Sequence, residues 1–292
     1  MQFPMRAFLV VTALVGAPTL AIAQIAAAPE RVTLPSADGH TTLVGYVFKP
    51  ANSGGRMPAV VMMHGRAGPY SSAANGVYDA STLARRHLQW GRIWAEQGYI
   101  AILVDGFGPR GYPQGFGRHS YADRPETLNE VTIRPLDAYG ALAYLRARPD
   151  VAPDRIGLQG WSNGASAGLA TMAVDAPGIA NPTPQTGFRA AVIFYPACGL
   201  KGHFDEKGYL SYAPVRVFHG TSDEEVSGRR CAELVERSRA LGGKISIKLY
   251  AGATHGFDDP NFKRQKRDAN AAAREDSIAR ATRFFAEQLD GR

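Results

Sequence analysis

The feature that most restricts this chain is a series of short, predominantly apolar runs that stop at a turn and are separated by helix-length segments. They are MPAVVMMHG (57–65), GYIAILVDGFG (98–108), RIGLQGW (155–161), RAAVIFYP (189–196), VRVFHG (215–220) and ISIKLY (245–250). A run without polar alternation suits a strand buried on both faces. Helical patterns fill the gaps at 83–97, 136–148, 162–174, 228–241 and 270–289. In the second of these Leu136, Tyr139, Ala143 and Ala147 share a face, and Pro135 either opens or kinks it. Buried strands alternating with helices predict an α/β fold, a mostly parallel sheet covered on both faces. Ahead of them, RVTLPSADGHTTLVGYVFKP alternates around Asp38-Gly39 and reads as a β-hairpin.

The chain has 292 residues, 45% of them apolar, which is enough for a sizeable core. No linker divides residues 24–292, so one domain is expected there. The first residues, MQFPMRAFLVVTALVGAPTLAIAQ, combine Arg6, an apolar run and the small-x-small site Ala21-Ile22-Ala23. This predicts a signal peptide over 1–23. The run is shorter than the about 20 residues of a membrane span and holds Pro18, so a cleaved leader is favoured over an anchor. The expected location is the periplasm or the extracellular medium, with no stable membrane anchor after cleavage.

Export bears on the cysteines. Cys198 and Cys231 are the two in the chain, and in an oxidising compartment an even pair suggests one disulfide; two buried thiols that never meet is the other reading. Neither has metal-ligand spacing, so no metal and no cofactor are expected. The net charge is +7, of which Arg6 in the leader contributes one, leaving +6. The basic residues are scattered. The one cluster, Lys263, Arg264, Lys266 and Arg267, lacks interleaved aromatics and reads as a solvated helix start, so no nucleic-acid partner is expected.

Chemistry concentrates in LQGWSNGAS (158–166), where Gly160-Trp161-Ser162-Asn163-Gly164 falls between a strand and a helix. A sharp strand-to-helix turn holds its serine in a strained conformation with the hydroxyl outward, and side chains two residues either side would collide. The helix that follows points amide dipoles at a developing oxyanion. A serine needs a base, and the base an orienting carboxylate, in the chain order serine, acid, histidine. Asp223, beyond the strand ending at Gly220, and His255, beyond the strand ending at Tyr250, satisfy that order. Glu224 and Glu225 are rival acids, and Asp223 has the plainer alternative of a helix cap. His255 has the alternative of a loop histidine bonded for structure. His219 falls inside a strand, a poor place for a mobile base. His64 belongs to MMHGRAGP, whose His-Gly turn predicts one backbone donor of an oxyanion hole; the amides of Asn163 and Arg66 are the expected pair.

At VVMMHGRAG, ILVDGFGPRG, RIGLQGWSNG, FYPACG, HGTSD and THGFDD the chain resembles the α/β-hydrolase superfamily and, within it, the dienelactone hydrolase family, over roughly residues 40–290. The resemblance implies an eight-stranded, mostly parallel sheet, hydrolysis of esters or lactones, and no metal. It makes Ser162 the nucleophile, Asp223 the orienting acid and His255 the base. The family typically has cysteine at the elbow, so Ser162 puts a dienelactone substrate in question and brings the chain nearer to exported, serine-bearing members. Similarity to those members also supports a Cys198–Cys231 bridge.

The expected function is therefore an exported serine hydrolase of small carboxylic esters or lactones. A peptidase of the prolyl-oligopeptidase type ranks below it, since such enzymes usually carry a large additional domain for which this chain has no room. A non-catalytic binding protein on the same scaffold has no need of three ordered residues. Arg66, Arg110 and Arg118 together would favour an ester bearing a carboxylate, against salt bridges or solvent as the plainer role. Trp161, next to the serine, is a further candidate contact.

Overall fold

Each of the six apolar runs is a strand. The computed structural model describes Met1, residues 28–51 and residues 54–290; the expected leader cleavage site lies outside the described residues. The hairpin supplies β1 (Glu30–Pro35) and β2 (Thr42–Phe48), and the runs supply β3 (Met57–Met63), β4 (Ile100–Asp105), β5 (Val151–Trp161), β6 (Ala190–Phe194), β7 (Val215–Gly220) and β8 (Ile245–Tyr250). They form one sheet in the order β1-β2-β4-β3-β5-β6-β7-β8. β1 and β2 pair antiparallel, β2 joins β4 antiparallel, and the rest are parallel.

The hairpin turns at Asp38-Gly39, where Gly39 takes φ +81° and the Asp38 carboxylate accepts from the amides of His40 and Thr41. β5 starts four residues earlier than its apolar run. Val151 pairs with Met57, and a register shift between Met57 and Ala59 absorbs the intervening polar residues.

The helices are α1 (Arg85–Glu96), α2 (Arg134–Arg146), α3 (Asn163–Thr171), α4 (Gly228–Ala240), α5 (Phe262–Gln265) and α6 (Asp268–Phe285). Pro135 opens α2 in its first turn, where its missing N–H costs no helical bond. Strand residues alternate between two cores. Ala59, Val61 and Met63 pack with α2, α3 and α4, while Val60 and Met62 pack with Trp90 and Trp94 of α1 and Phe284 and Phe285 of α6. With both faces covered, the carboxyl edge of the parallel strands is where loops converge. Among the described residues no helix is long and apolar enough to cross a membrane.

Candidate active site

β5 passes into α3 through Ser162, whose φ of 52° and ψ of −115° are strained for a residue with a side chain. The flanking glycines permit that turn. A Cβ on Gly160 would lie 2.3 Å from the Gly164 carbonyl oxygen, and one on Gly164 would lie 2.2 Å from the Met63 oxygen and 2.4 Å from that of His64. No neighbouring side chain can move to relieve either clash, because the obstacles are backbone.

The loops after β5, β7 and β8 bring three of the expected residues together. Ser162 Oγ lies 3.0 Å from His255 Nε2, and His255 Nδ1 lies 2.9 Å from Asp223 Oδ2. A proton on Nδ1 directed at Asp223 leaves Nε2 free to accept from the serine. The other Asp223 oxygen accepts from the amides of Glu225 and Val226, both at 2.9 Å. Burial alone would raise the Asp223 carboxyl, but the hydrogen bond and charge of His255 and these two amides outweigh it and hold it below its ordinary value. The carboxylate is thus kept ionised.

The rival groups are otherwise engaged. Glu224 accepts from the His255 backbone amide and pairs with Arg264 and Arg118. Glu225 pairs with Arg66 and Arg118, and its Oε2 lies 3.7 Å from His255 Nε2. His219 is fully buried in β7, 3.1 Å from the Gly220 carbonyl, and burial pushes its imidazole down. His64 is also sealed, its Nδ1 2.7 Å from the Gly65 oxygen; burial first, and then the Arg134 charge, push it well below the usual histidine range.

The turn after β3 abuts the elbow. A Cβ on Gly65 would sit 3.4 Å from Ser162 Cβ and 3.2 Å from the Trp161 oxygen, so Gly65 lets the Arg66 backbone approach the serine. Asn163 opens α3, where main-chain amides lack helical acceptors. The buried Arg134 joins these two segments, donating from Nη1 to the His64 carbonyl at 2.9 Å and to Asn163 Oδ1 at 2.6 Å.

A cleft of about 560 Å³ opens over Ser162 and Asn163, walled by Arg66, Arg118, Arg124, Lys201, Arg230, Glu130, Glu225 and Cys198. Cys198 is disulfide-bonded to Cys231 of α4, so the two-thiol alternative falls and the wall after β6 is tied to the helix after the acid loop. Among the described residues no group of three His, Cys, Asp or Glu is placed to hold a metal ion.

Two expected substrate contacts need correction. Arg110 does not line the cleft. Its guanidinium turns back onto the hairpin, pairing with Asp38 and Asp137 and donating to the Gly106 carbonyl. Trp161 is fully buried and does not line the cleft: strand alternation sends its ring into the core shared with α1 and α6, where its indole N–H donates to Asp258. Arg118 stands at the rim, half exposed and held by Glu224 and Glu225, and the Arg66 side chain is spent on Glu225 and the Phe116 carbonyl.

Other residues escaped the sequence reading. Asp258, buried three residues after the histidine, accepts from Trp90, Trp161 and Tyr195 and pairs with Arg86. The Tyr195 ring lies 4.6 Å from the His255 imidazole. Asp258 belongs to THGFDD, but nothing in that string tells a buried carboxylate from a surface one. Arg134 resembles any charged residue at the start of a helix.

This sheet order, with a serine on a strained turn between β5 and α3, defines an α/β-hydrolase. The chain belongs to the dienelactone hydrolase family, whose model matches residues 43–289. It is similar in fold to esterase 2 of Thermogutta terrifontis (20% identity, 92% of this chain and 97% of that one, TM-score 0.63). It is equally similar to P91, a dienelactone hydrolase-like promiscuous phosphotriesterase from metagenomic libraries (19% identity, 90% and 100%, TM-score 0.63). A putative hydrolase of Bacillus subtilis strain 168, YtaP, is 26% identical over 146 residues, 47% of this chain and 46% of that protein. The chain spans less than two thirds of the length of the curated relatives it matches.

Proposed function

We propose that the protein is a serine hydrolase of small carboxylic esters or lactones. The observation that carries this reading is the line Asp223–His255–Ser162, bonded at 2.9 and 3.0 Å beneath a strained elbow. Ser162 Oγ attacks the carbonyl carbon as its proton passes to His255 Nε2, and Asp223 holds the imidazole and its positive charge. The amides of Asn163 and Arg66 receive the oxyanion, at roughly 3 kcal/mol of transition-state stabilisation per donor. Collapse expels the alcohol, which takes the proton from His255; water then repeats the sequence on the acyl-enzyme.

The cleft supports a finer reading of the substrate. Of the five cationic residues that wall it, Arg66, Arg118 and Lys201 pair with glutamates, so Arg124 and Arg230 supply the positive charge that favours an ester carrying a negative charge. Residues 1–23 act as a leader, residues 24–292 fold as one domain, and the disulfide accords with release into an oxidising compartment.

Hydrolysis of short p-nitrophenyl esters by the chain from Gln24 onward, beside Ser162→Ala, tests the proposal. Turnover by the parent and loss of several orders of magnitude in the variant are expected. Equal activity of the two proteins would remove Ser162 from the chemistry. Labelling by a fluorophosphonate separates a hydrolase from a binding protein.

A further inference from the structure

Arg134 is an arginine with no exposed surface, at the first position of α2. Its Nη1 makes two hydrogen bonds, to the His64 carbonyl and to Asn163 Oδ1, while Nε and Nη2 are buried without a partner. The guanidinium carbon lies 4.9 Å from the centre of the Phe107 ring. Nearby carboxylates serve other donors: Asp137 takes Arg110 and Ser36, Asp105 takes Tyr70 and two amides, and Glu130 takes Tyr121. Burying a cation this poorly compensated opposes folding. Fold maintenance alone is served as well by an apolar side chain of the same shape, so the charge itself calls for a role.

Its two acceptors indicate that role. The His64 carbonyl lies one residue before Gly65, whose backbone carries the chain to the Arg66 amide. Asn163 bears the other expected oxyanion amide. One nitrogen therefore spans the two segments that must hold a fixed separation to receive an oxyanion. We propose that Arg134 is a positioning residue for the oxyanion hole, setting the spacing of the two donors and placing a buried positive charge behind them. The proposal rests on the hydrolase reading above. A fixed charge in a water-excluded site acts on developing negative charge more strongly than on a neutral carbonyl. Its effect therefore falls on turnover rather than on substrate binding.

Arg134→Met keeps the unbranched stem and removes the charge and both bonds; Arg134→Lys keeps the charge and a single donor nitrogen. With Ser162→Ala alongside and folding checked by thermal melting, Arg134→Met is expected to lower kcat about 100-fold with KM within about twofold, as loss of one oxyanion donor does. Arg134→Lys is expected to recover about tenfold of that loss. Rapid phosphonylation of Ser162 should slow in parallel, since the phosphonyl oxygen occupies the oxyanion position. A folded Arg134→Met within about threefold of the parent kcat overturns the proposal, as does an Arg134→Lys no better than Arg134→Met, which would reduce the residue to packing. If Arg134→Met does not fold, Asn163→Leu carries the test: it removes the Oδ1 acceptor and leaves the arginine. A kcat loss of about tenfold is then expected, and unchanged kcat overturns the inference. Activity retained in Ser162→Ala overturns the hydrolase reading instead, so the two failures are distinguishable.

Discussion

The Glu225 carboxylate grips the Arg66 guanidinium at both ends, Oε2 to Nε at 3.0 Å and Oε1 to Nη2 at 2.9 Å, joining the loop after β7 to the turn after β3 across the mouth of the cleft. Both side chains are largely withdrawn from solvent, and a two-point arginine–carboxylate contact fixes orientation as well as distance. The acid loop and the expected oxyanion turn are thereby held as one unit. The same carboxylate faces His255 Nε2 at 3.7 Å, where it would steady an imidazolium.

Glu225→Gln is expected to lower kcat/KM about tenfold, and Arg66→Gln by a similar factor. The double variant should lose much less than the product of the two, because either single change already breaks the clasp. Additive losses in ester hydrolysis would show that the two residues act separately.

Gly164→Ala places a methyl against the Met63 and His64 carbonyls, which cannot yield without displacing the end of β3. We expect a loss of about 3 kcal/mol or more in unfolding free energy, measured by denaturant melts, together with near-complete loss of activity. Gly111→Ala, whose Cβ would meet nothing within 4 Å though its φ is +89°, is expected to cost about 1 kcal/mol and keep most activity.

Arg124 lines the cleft with its Nε buried and unpartnered, unlike Arg66 and Arg118, which are held by Glu225. Arg124→Gln should reduce kcat/KM about fivefold for a hemisuccinate ester and leave a neutral ester of the same alcohol within about twofold. Added salt should weaken the parent's preference for the anionic ester. Equal losses for both esters would count against a negatively charged substrate.

The Cys198–Cys231 bridge closes a sequence separation of 33, for which loop entropy suggests about 3–4 kcal/mol of stabilisation. Cys198→Ala/Cys231→Ala should therefore melt well below the parent and resemble the parent after reduction. Ester turnover should fall as well, because Cys198 lines the cleft. A parent insensitive to dithiothreitol would contradict this.

His87 is buried with Nδ1 2.9 Å from the Pro69 carbonyl, and burial lowers its pKa to about 4. Unfolded, the imidazole titrates near 6.5. Between those values the unfolded chain holds a proton that the folded chain excludes, so stability rises with pH through this window and is lost on acidification. The contribution is up to about 3 kcal/mol. Melting temperature measured from pH 7 to pH 4 should fall, and His87→Leu should flatten the decline.

Much of the architecture was legible because it obeys local rules. Runs such as AVVMM and AILV can be strands only if both faces are covered, and helix-length gaps dictate parallel crossovers. The elbow was legible for a steric reason: Gly160 and Gly164 are required wherever a serine turns a strand into a helix this sharply. Asp223 and His255 stood out because each lies in the loop just beyond a strand end, and parallel strands deliver their ends to one edge. That a given arginine points into the cleft was not legible. Arg110 and Arg124 both lie between β4 and α2, yet one is drawn back by Asp38 and Asp137 and the other lines the cleft. The side of the sheet that Trp161 occupies, the carboxylate of Asp258 that gathers it, and the cation of Arg134 beneath the elbow depend on partners distant in sequence. Period and turn chemistry act over a few residues, so the sequence determined the scaffold and the junctions that bear reactive groups. Charge pairing and burial act through space, so only the tertiary structure decided which polar residues face the substrate and which hold the site from behind.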